Sequence, residues 1–151
     1  MQPIRIIEIP GCKMVSSGVG MFGQAKFDQF AAWFSSLPRT MFPKDFLFWD
    51  GKEFGVDGGF HWLYLYDEGM AVPAEFGLVD FTGGLYAVAT DIDGKTDIQA
   101  MDAAVDEFLR TNGLERDPSR PRLGNIITPP AAHEALGYHQ MDYYAPIKKR
   151  L

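Results

Sequence analysis

Cysteine is almost missing from these 151 residues: Cys12 is the only one. A lone cysteine closes no internal disulfide, which excludes the cross-linked frameworks of small secreted domains. Cys12 itself reads as a small buried hydrophobe. No apolar signal segment follows Met1, and no run approaches the roughly 18–20 apolar residues of a membrane span. A cytoplasmic protein without membrane contact is the expectation. Positive charge is also short: 14 Lys and Arg stand against 20 Asp and Glu, for a formal net charge of −6. Neutralising phosphates takes clustered Lys and Arg, so nucleic acid is not an expected partner of this chain by itself. The one basic cluster, Lys148-Lys149-Arg150, reads as a solubilising tail. The three histidines, His61, His133 and His139, match no metal-ligand spacing, so neither metal nor cofactor is expected. Gly18-Val19-Gly20 and Gly83-Gly84 lack the third glycine and the context of a dinucleotide fingerprint. Ser16 and Ser17 sit in no nucleophile elbow.

Aromatic residues, by contrast, are abundant: 12 Phe, 6 Tyr and 3 Trp, or 14% of the chain. Phe suits a core. Tyr and Trp, with an apolar body and a polar tip, suit the wet edge of a pocket as well. A chain of this length fits one domain and can bury roughly 70% of its unfolded surface without staples.

Local patterning supplies the elements. Ile4 to Ile9 reads as a strand, bent by Pro10-Gly11 and continued from Lys13 to Val19. Gln24 to Leu37 reads as a helix, with Phe27, Phe30, Ala31, Phe34 and Leu37 on one face and Pro38 as its stop. Strands follow at Phe46–Trp49 and Phe60–Tyr66, with a Gly-rich loop between. The pattern then starts again. Leu78 to Phe81 and Leu85 to Asp91 read as strand. Thr96 or Asp97 can cap a helix running to about Thr111, with Ile98, Met101, Ala104 or Val105, and Phe108 as its apolar face and Asn112-Gly113 as its stop. Arg122 to Thr128 reads as a strand, Pro129 to Gly137 as a loop, and Tyr138 to Ile147 as a last strand. The order strand, helix, strand, strand thus occurs twice, in repeats of about 1–70 and 76–151. That order describes an α+β fold, an antiparallel sheet with helices on one face.

Three pieces carry a resemblance. They are Thr82-Gly83-Gly84-Leu85-Tyr86-Ala87-Val88-Ala89, the helix end Phe108 to Leu114, and Tyr143-Tyr144-Ala145-Pro146-Ile147. In this order and spacing they resemble the GyrI-like family, which includes the effector-binding parts of AraC-type and MerR-type transcription regulators and the DNA gyrase inhibitory protein. The second half matches best; the first agrees in element order, through Gly18, the first helix and the strand at Phe60–Tyr66. The resemblance implies two strand-helix-strand-strand modules related by a pseudo-twofold, with a cleft between them that takes small organic molecules, often aromatic cations held by an acid among aromatic rings. It fills the chain, so a fused DNA-binding domain is not expected. The family's usual acid, a Glu on the strand after the second helix, falls within Leu123-Gly124-Asn125, none of which is acidic.

Strand alternation nominates the site residues. In Phe60–Tyr66, one face carries His61, Leu63 and Leu65 and the other Phe60, Trp62, Tyr64 and Tyr66. The Leu face suits packing under a helix and the aromatic face a cleft floor; the alternative makes the aromatic face the core. Trp49 on the preceding strand is a further candidate, of undecided orientation. On the last strand Asp142 and Tyr144 share a face, and Asp142 stands where the gyrase inhibitory protein also carries an acid. Asp142 therefore either replaces the family Glu or is a solvated or ion-paired carboxylate. Asp91, Glu53 and Asp50 are lesser candidates for that acid. The expected function is a stand-alone binding module, sensing or sequestering aromatic compounds, cations among them. A GyrI-like hydrolase of reactive aromatic molecules and a protein-binding inhibitor of gyrase type are the alternatives. A homodimer is left open.

Overall fold

Two apolar helix stripes decide which side of the strands in each half of the chain is covered. The structure, a computed structural model, describes residues 3–38, 40, 42–50 and 59–151, with the backbone alone described at Trp49 and Asp50. The chain divides into two compact units. The N-terminal unit is Gly11–Thr82, and the C-terminal unit joins Met1–Pro10 to Gly83–Leu151. The fold is α+β, with antiparallel strands throughout.

The N-terminal unit holds β2 (Cys12–Gly20), α1 (Ala25–Ser35), β3 (Asp45–Asp50), β4 (Gly59–Leu65) and β5 (Gly77–Phe81). Its strands lie in the order β3-β4-β2-β5. The stripe Phe27, Phe30, Phe34 drives α1 onto this sheet, and the first two rings are completely buried. Gln24, at the N-cap, spends its side chain on the loop before it: Oε1 accepts a bond from the Met21 amide at 3.0 Å.

The C-terminal unit holds β1 (Arg5–Ile9), β6 (Gly84–Ile92), α2 (Ile98–Thr111), β7 (Leu114–Arg116), β8 (Leu123–Ile126), α3 (Pro130–Leu136) and β9 (Gln140–Lys149). Its order is β1-β6-β9-β8, with β7 also on β9. Asp97 caps α2 by accepting from the Ala100 amide at 3.1 Å. Met101, Val105 and Leu109 then pack on Ala87, Ala89, Ala145 and Ile147. The three alanines keep the sheet surface low, so the helix sits close and its aliphatic side chains fill the space. Burying one such aliphatic side chain fully is worth about 1.5–3 kcal/mol.

Three features depart from the local reading. Segment Pro129–Gly137, expected as loop, contains α3. Pro130 at its first turn and Gly137 at φ 78° are the usual start and stop, but none of its residues is buried, so no stripe announces it. Three-residue β7 leaves no periodic pattern. The α2 stripe rotates toward Leu109: Ile98 is exposed and Phe108 half-buried. The units also cut across the sequence repeats. β1 pairs with β6 rather than with β2, its chain neighbour, and β5 pairs with β2 rather than β6. Each repeat lends its first strand to the other unit.

Candidate functional site

On β9, alternation sends Tyr143, Ala145 and Ile147 toward α2 and Asp142, Tyr144 and Pro146 to the opposite face. Register builds that opposite face into rows. Asp142 lies between Thr90 of β6 and Asn125 of β8, and Tyr144 lies between Val88 and Leu123. Arg5 of β1 stands across from Val88. This face is buried: Asn125 is 3% exposed, Asp142 8% and Tyr144 8%. A buried carboxylate needs a partner, and Arg5 supplies it, donating to Asp142 Oδ1 at 2.8 Å. The pair is lopsided, since the Arg5 side chain is 52% exposed and that of Asp142 11%. Burial, and after it the charge of Asp142, pushes the Tyr144 phenol up to about 12, with Arg5 pulling the other way. Tyr144 thus stays neutral and keeps its proton. The surface combines apolar Val88 and Leu123, a neutral phenol, a side-chain amide and one charge pair, the mixture that orients a small polar-edged molecule.

Beside this row, Tyr86 is fully buried, and the Arg120 guanidinium lies 4.9 Å from its ring centre. Arg120 also donates to the carbonyls of Gly83, Leu85 and Ile147 and to Asp117. It occupies the space that a side chain on Gly84 would need. The Gly83-Gly84 pair of the sequence motif is therefore where the arginine staples the start of β6 to the end of β9.

The N-terminal unit reverses one expectation. Its aromatic face, not its Leu face, meets the helix. Trp62 lies 5.2 Å from Phe34 and 5.5 Å from Phe27 between ring centres, and Tyr64 lies 5.4 Å from Phe34 and 5.8 Å from Trp33. The polar tips find protein partners instead of water: Trp62 Nε1 donates to Asp45 Oδ2 at 3.0 Å and Trp33 Nε1 to the Ala71 carbonyl at 3.3 Å. Burial pushes the Asp45 carboxyl up, against the Trp62 bond, which lowers it. Half-buried Phe60 sits 5.9 Å from exposed Phe22, and Tyr66, also half-buried, follows the end of β4. Trp49 pairs with Phe60 through the backbone, but its side chain lies outside the described residues, as do that of Asp50 and all of Glu53. The α1-distal face carries Phe46, Leu63 and the Phe48–His61 stack, with ring centres 4.5 Å apart and planes within 8°. Asp91 falls on the α2 side of its strand.

Of the residues singled out from sequence, Asp142 and Tyr144 stand together, and Trp62 and Tyr64 form a second group inside the N-terminal unit. Arg5, Asn125 and Thr90 complete the Asp142 row and were not singled out. Asn125 had a visible cue, its place in the segment Leu123-Gly124-Asn125 within which the resemblance puts a Glu. Arg5 had none, being 137 residues from its partner. His133 and His139 stack on each other, ring centres 3.8 Å apart. Among the described residues no three His, Cys, Asp or Glu side chains converge, and no helix is long and apolar enough to cross a membrane.

No protein-family profile matches the sequence, and no curated protein matches it. Solved structures do match. A complex of EcmrR with DNA aligns at TM-score 0.67 and 10% identity, over 99% of this chain but 58% of that one. This chain is thus less than two thirds the length of that relative. The C-terminal domain of EcmrR alone aligns at 0.63 and 9% identity, over 99% of both chains. A hydrolase from Listeria innocua aligns at 0.67 and 12% identity, over 96% of this chain and 91% of its own. SAV2435 bound to tetraphenylphosphonium aligns at 0.52 and 10% identity, over 97% and 94%. At these identities the likeness establishes the fold, which is that of the EcmrR C-terminal domain.

Proposed function

We propose that this chain is a GyrI-like effector-binding module that takes a small aromatic organic molecule on the α2-distal face of its C-terminal unit. The observation that carries the reading is the row Thr90–Asp142–Asn125 beside Tyr144: polar groups, Asp142 and Asn125 buried and Thr90 half-buried, and a buried aromatic ring on one surface of a sheet whose other surface already holds the helix. A core needs no such polar row. Binding of a small organic molecule agrees with the resemblance, and with the SAV2435 structure, in which a protein of this fold holds an aromatic cation. Trp62 and Tyr64 serve the core of the other unit in this reading. The hydrolase alternative is weaker, because Leu123-Gly124-Asn125, where the resemblance places a water-orienting Glu, holds no acid and the nearby Asp142 is engaged with Arg5. The net charge of −6 disfavours DNA contact by these residues themselves.

The test is calorimetric titration of the purified chain with a panel of planar aromatic compounds. Tyr144→Ala should weaken every binder by about tenfold or more, the loss of one ring contact and its buried area. Trp33→Ala, on the aromatic cluster of the other unit, should leave binding as it is. Equal affinity of wild type and a folded Tyr144→Ala variant would place the ligand elsewhere.

A further inference from the structure

The acid on the proposed ligand face already has a cation. Arg5 reaches Asp142 Oδ1 at 2.8 Å, and the two side chains differ in exposure, 52% against 11%: the carboxylate is held inside the sheet face, while the guanidinium rises from the terminal strand β1 toward solvent. Asn125, facing Asp142, adds no charge. The neighbouring charges, Arg120 and Asp117, also cancel each other. Among the described residues the row is therefore electrically neutral. A hydrophobic cation arriving there meets an acid whose charge is satisfied, and gains the Asp142 contact only by displacing Arg5.

We propose that Arg5 is a specificity-determining residue that fills the cation position beside Asp142, so that this face accepts neutral and dipolar aromatic molecules and disfavours hydrophobic cations. The proposal rests on the reading of this face as the ligand site. The physics is that of an excluded partner: discrimination comes from a contact built against one class of ligand rather than from a new contact with the other. Removing the guanidinium leaves a buried carboxylate uncompensated, which is costly, and a bound cation relieves that cost. Stacking of the cation on Tyr144 adds to the gain. Removing the carboxylate instead leaves Arg5 uncompensated, which favours an aromatic anion.

The experiment uses three dyes of similar shape, N-methylacridinium, neutral 9-methylacridine and an acridine sulfonate, titrated at neutral pH into the whole chain. Wild type should bind the neutral dye at least as well as the cation. Arg5→Gln should shift the cation-to-neutral affinity ratio by about tenfold toward the cation, and Arg5→Lys should not. Lys13→Gln, which makes the same change in net charge on β2, should leave the ratio alone. Asp142→Asn should shift preference toward the sulfonate by about tenfold, an outcome independent of whether Arg5→Gln folds. A tenfold cation preference in wild type overturns the proposal, and so does an unshifted ratio in folded Arg5→Gln. If the neutral dye still binds in that case, the ligand face stands and only the role of Arg5 is lost. Failure of all three dyes to bind any variant removes the ligand face and the proposal together.

Discussion

Asn125 and Asp142 stand directly opposite each other on β8 and β9, both buried, on the side of the sheet away from α2. The acid that the resemblance expects within Leu123-Gly124-Asn125 is missing from β8, whose Asn125 carries an amide, and a carboxylate stands one strand over. A neutral amide beside a paired carboxylate avoids the repulsion that two adjacent acids would create. Asn125→Asp would restore that repulsion. It should destabilise the chain at neutral pH by about 1–3 kcal/mol, the range for a buried polar group left unsatisfied. One of the two acids would then titrate above its ordinary value. A group raised in the folded state contributes stability at low pH that is lost as pH rises. The melting temperature of Asn125→Asp should therefore climb relative to wild type as pH drops below neutrality. A constant gap across pH would contradict the shared placement of the two groups.

The two α1 phenylalanines should differ. Phe30→Ala should cost about 3–5 kcal/mol, the range for emptying a closed aromatic site. Phe34 is only half-buried, so its surroundings and solvent can fill the gap and its cost should fall below that of Phe30. On α2, Leu109→Ala should cost about 2–5 kcal/mol, whereas Ile98→Ala should stay within about 0.5. Denaturant unfolding of the four variants checks the order. A Phe34 variant weaker than the Phe30 one would reverse the orientation of α1.

Gly84 has φ 131°, and a Cβ there would lie 2.5 Å from Arg120 Nη1. Gly84→Ala strains the backbone and pushes the guanidinium off the carbonyls of Gly83 and Leu85 together. A loss of more than about 1 kcal/mol should follow. Gly94, also at positive φ but with open space around it, provides the comparison, since alanine there meets only the backbone penalty. Equal losses at the two positions would show that Arg120 yields without cost.

Asp117 accepts bonds from the Ser119 hydroxyl at 2.6 Å, from Arg120 at 3.0 Å and from the Ser119 amide at 3.0 Å. These hold its carboxyl down at about 2, against an ordinary 3.8. A lowered acid favours the folded state above its ordinary value, and that contribution disappears as pH falls through the folded value. The stability gap between wild type and Asp117→Asn should therefore be constant near neutrality and close between about pH 4 and 2. Acid-unfolding curves followed by circular dichroism read it directly.

Much of the fold could be read locally. Asp97 before an apolar period and Gly113 after it mark α2, because capping and stopping depend on residues within one turn. Pro10-Gly11 and Gly83-Gly84 likewise mark where strands end. The lack of an acid within Leu123-Gly124-Asn125 needed only a motif position. What local reading left open were the choices that two-residue periodicity cannot make. Alternation separates Trp62 and Tyr64 from Leu63, but either face can meet a helix. The outcome turned on Asp45 and Ala71, which satisfy the indole nitrogens of Trp62 and Trp33 and let amphipathic rings serve as core. The exchange of β1 and β5 between the repeats was equally invisible, since two short linkers fit a hairpin as well as a crossing. Asp142 was recognisable as an acid beside an aromatic, but not as a paired one. Its partner lies 137 residues away, and only the pairing of β1 with β6 and of β6 with β9 brings the guanidinium within reach.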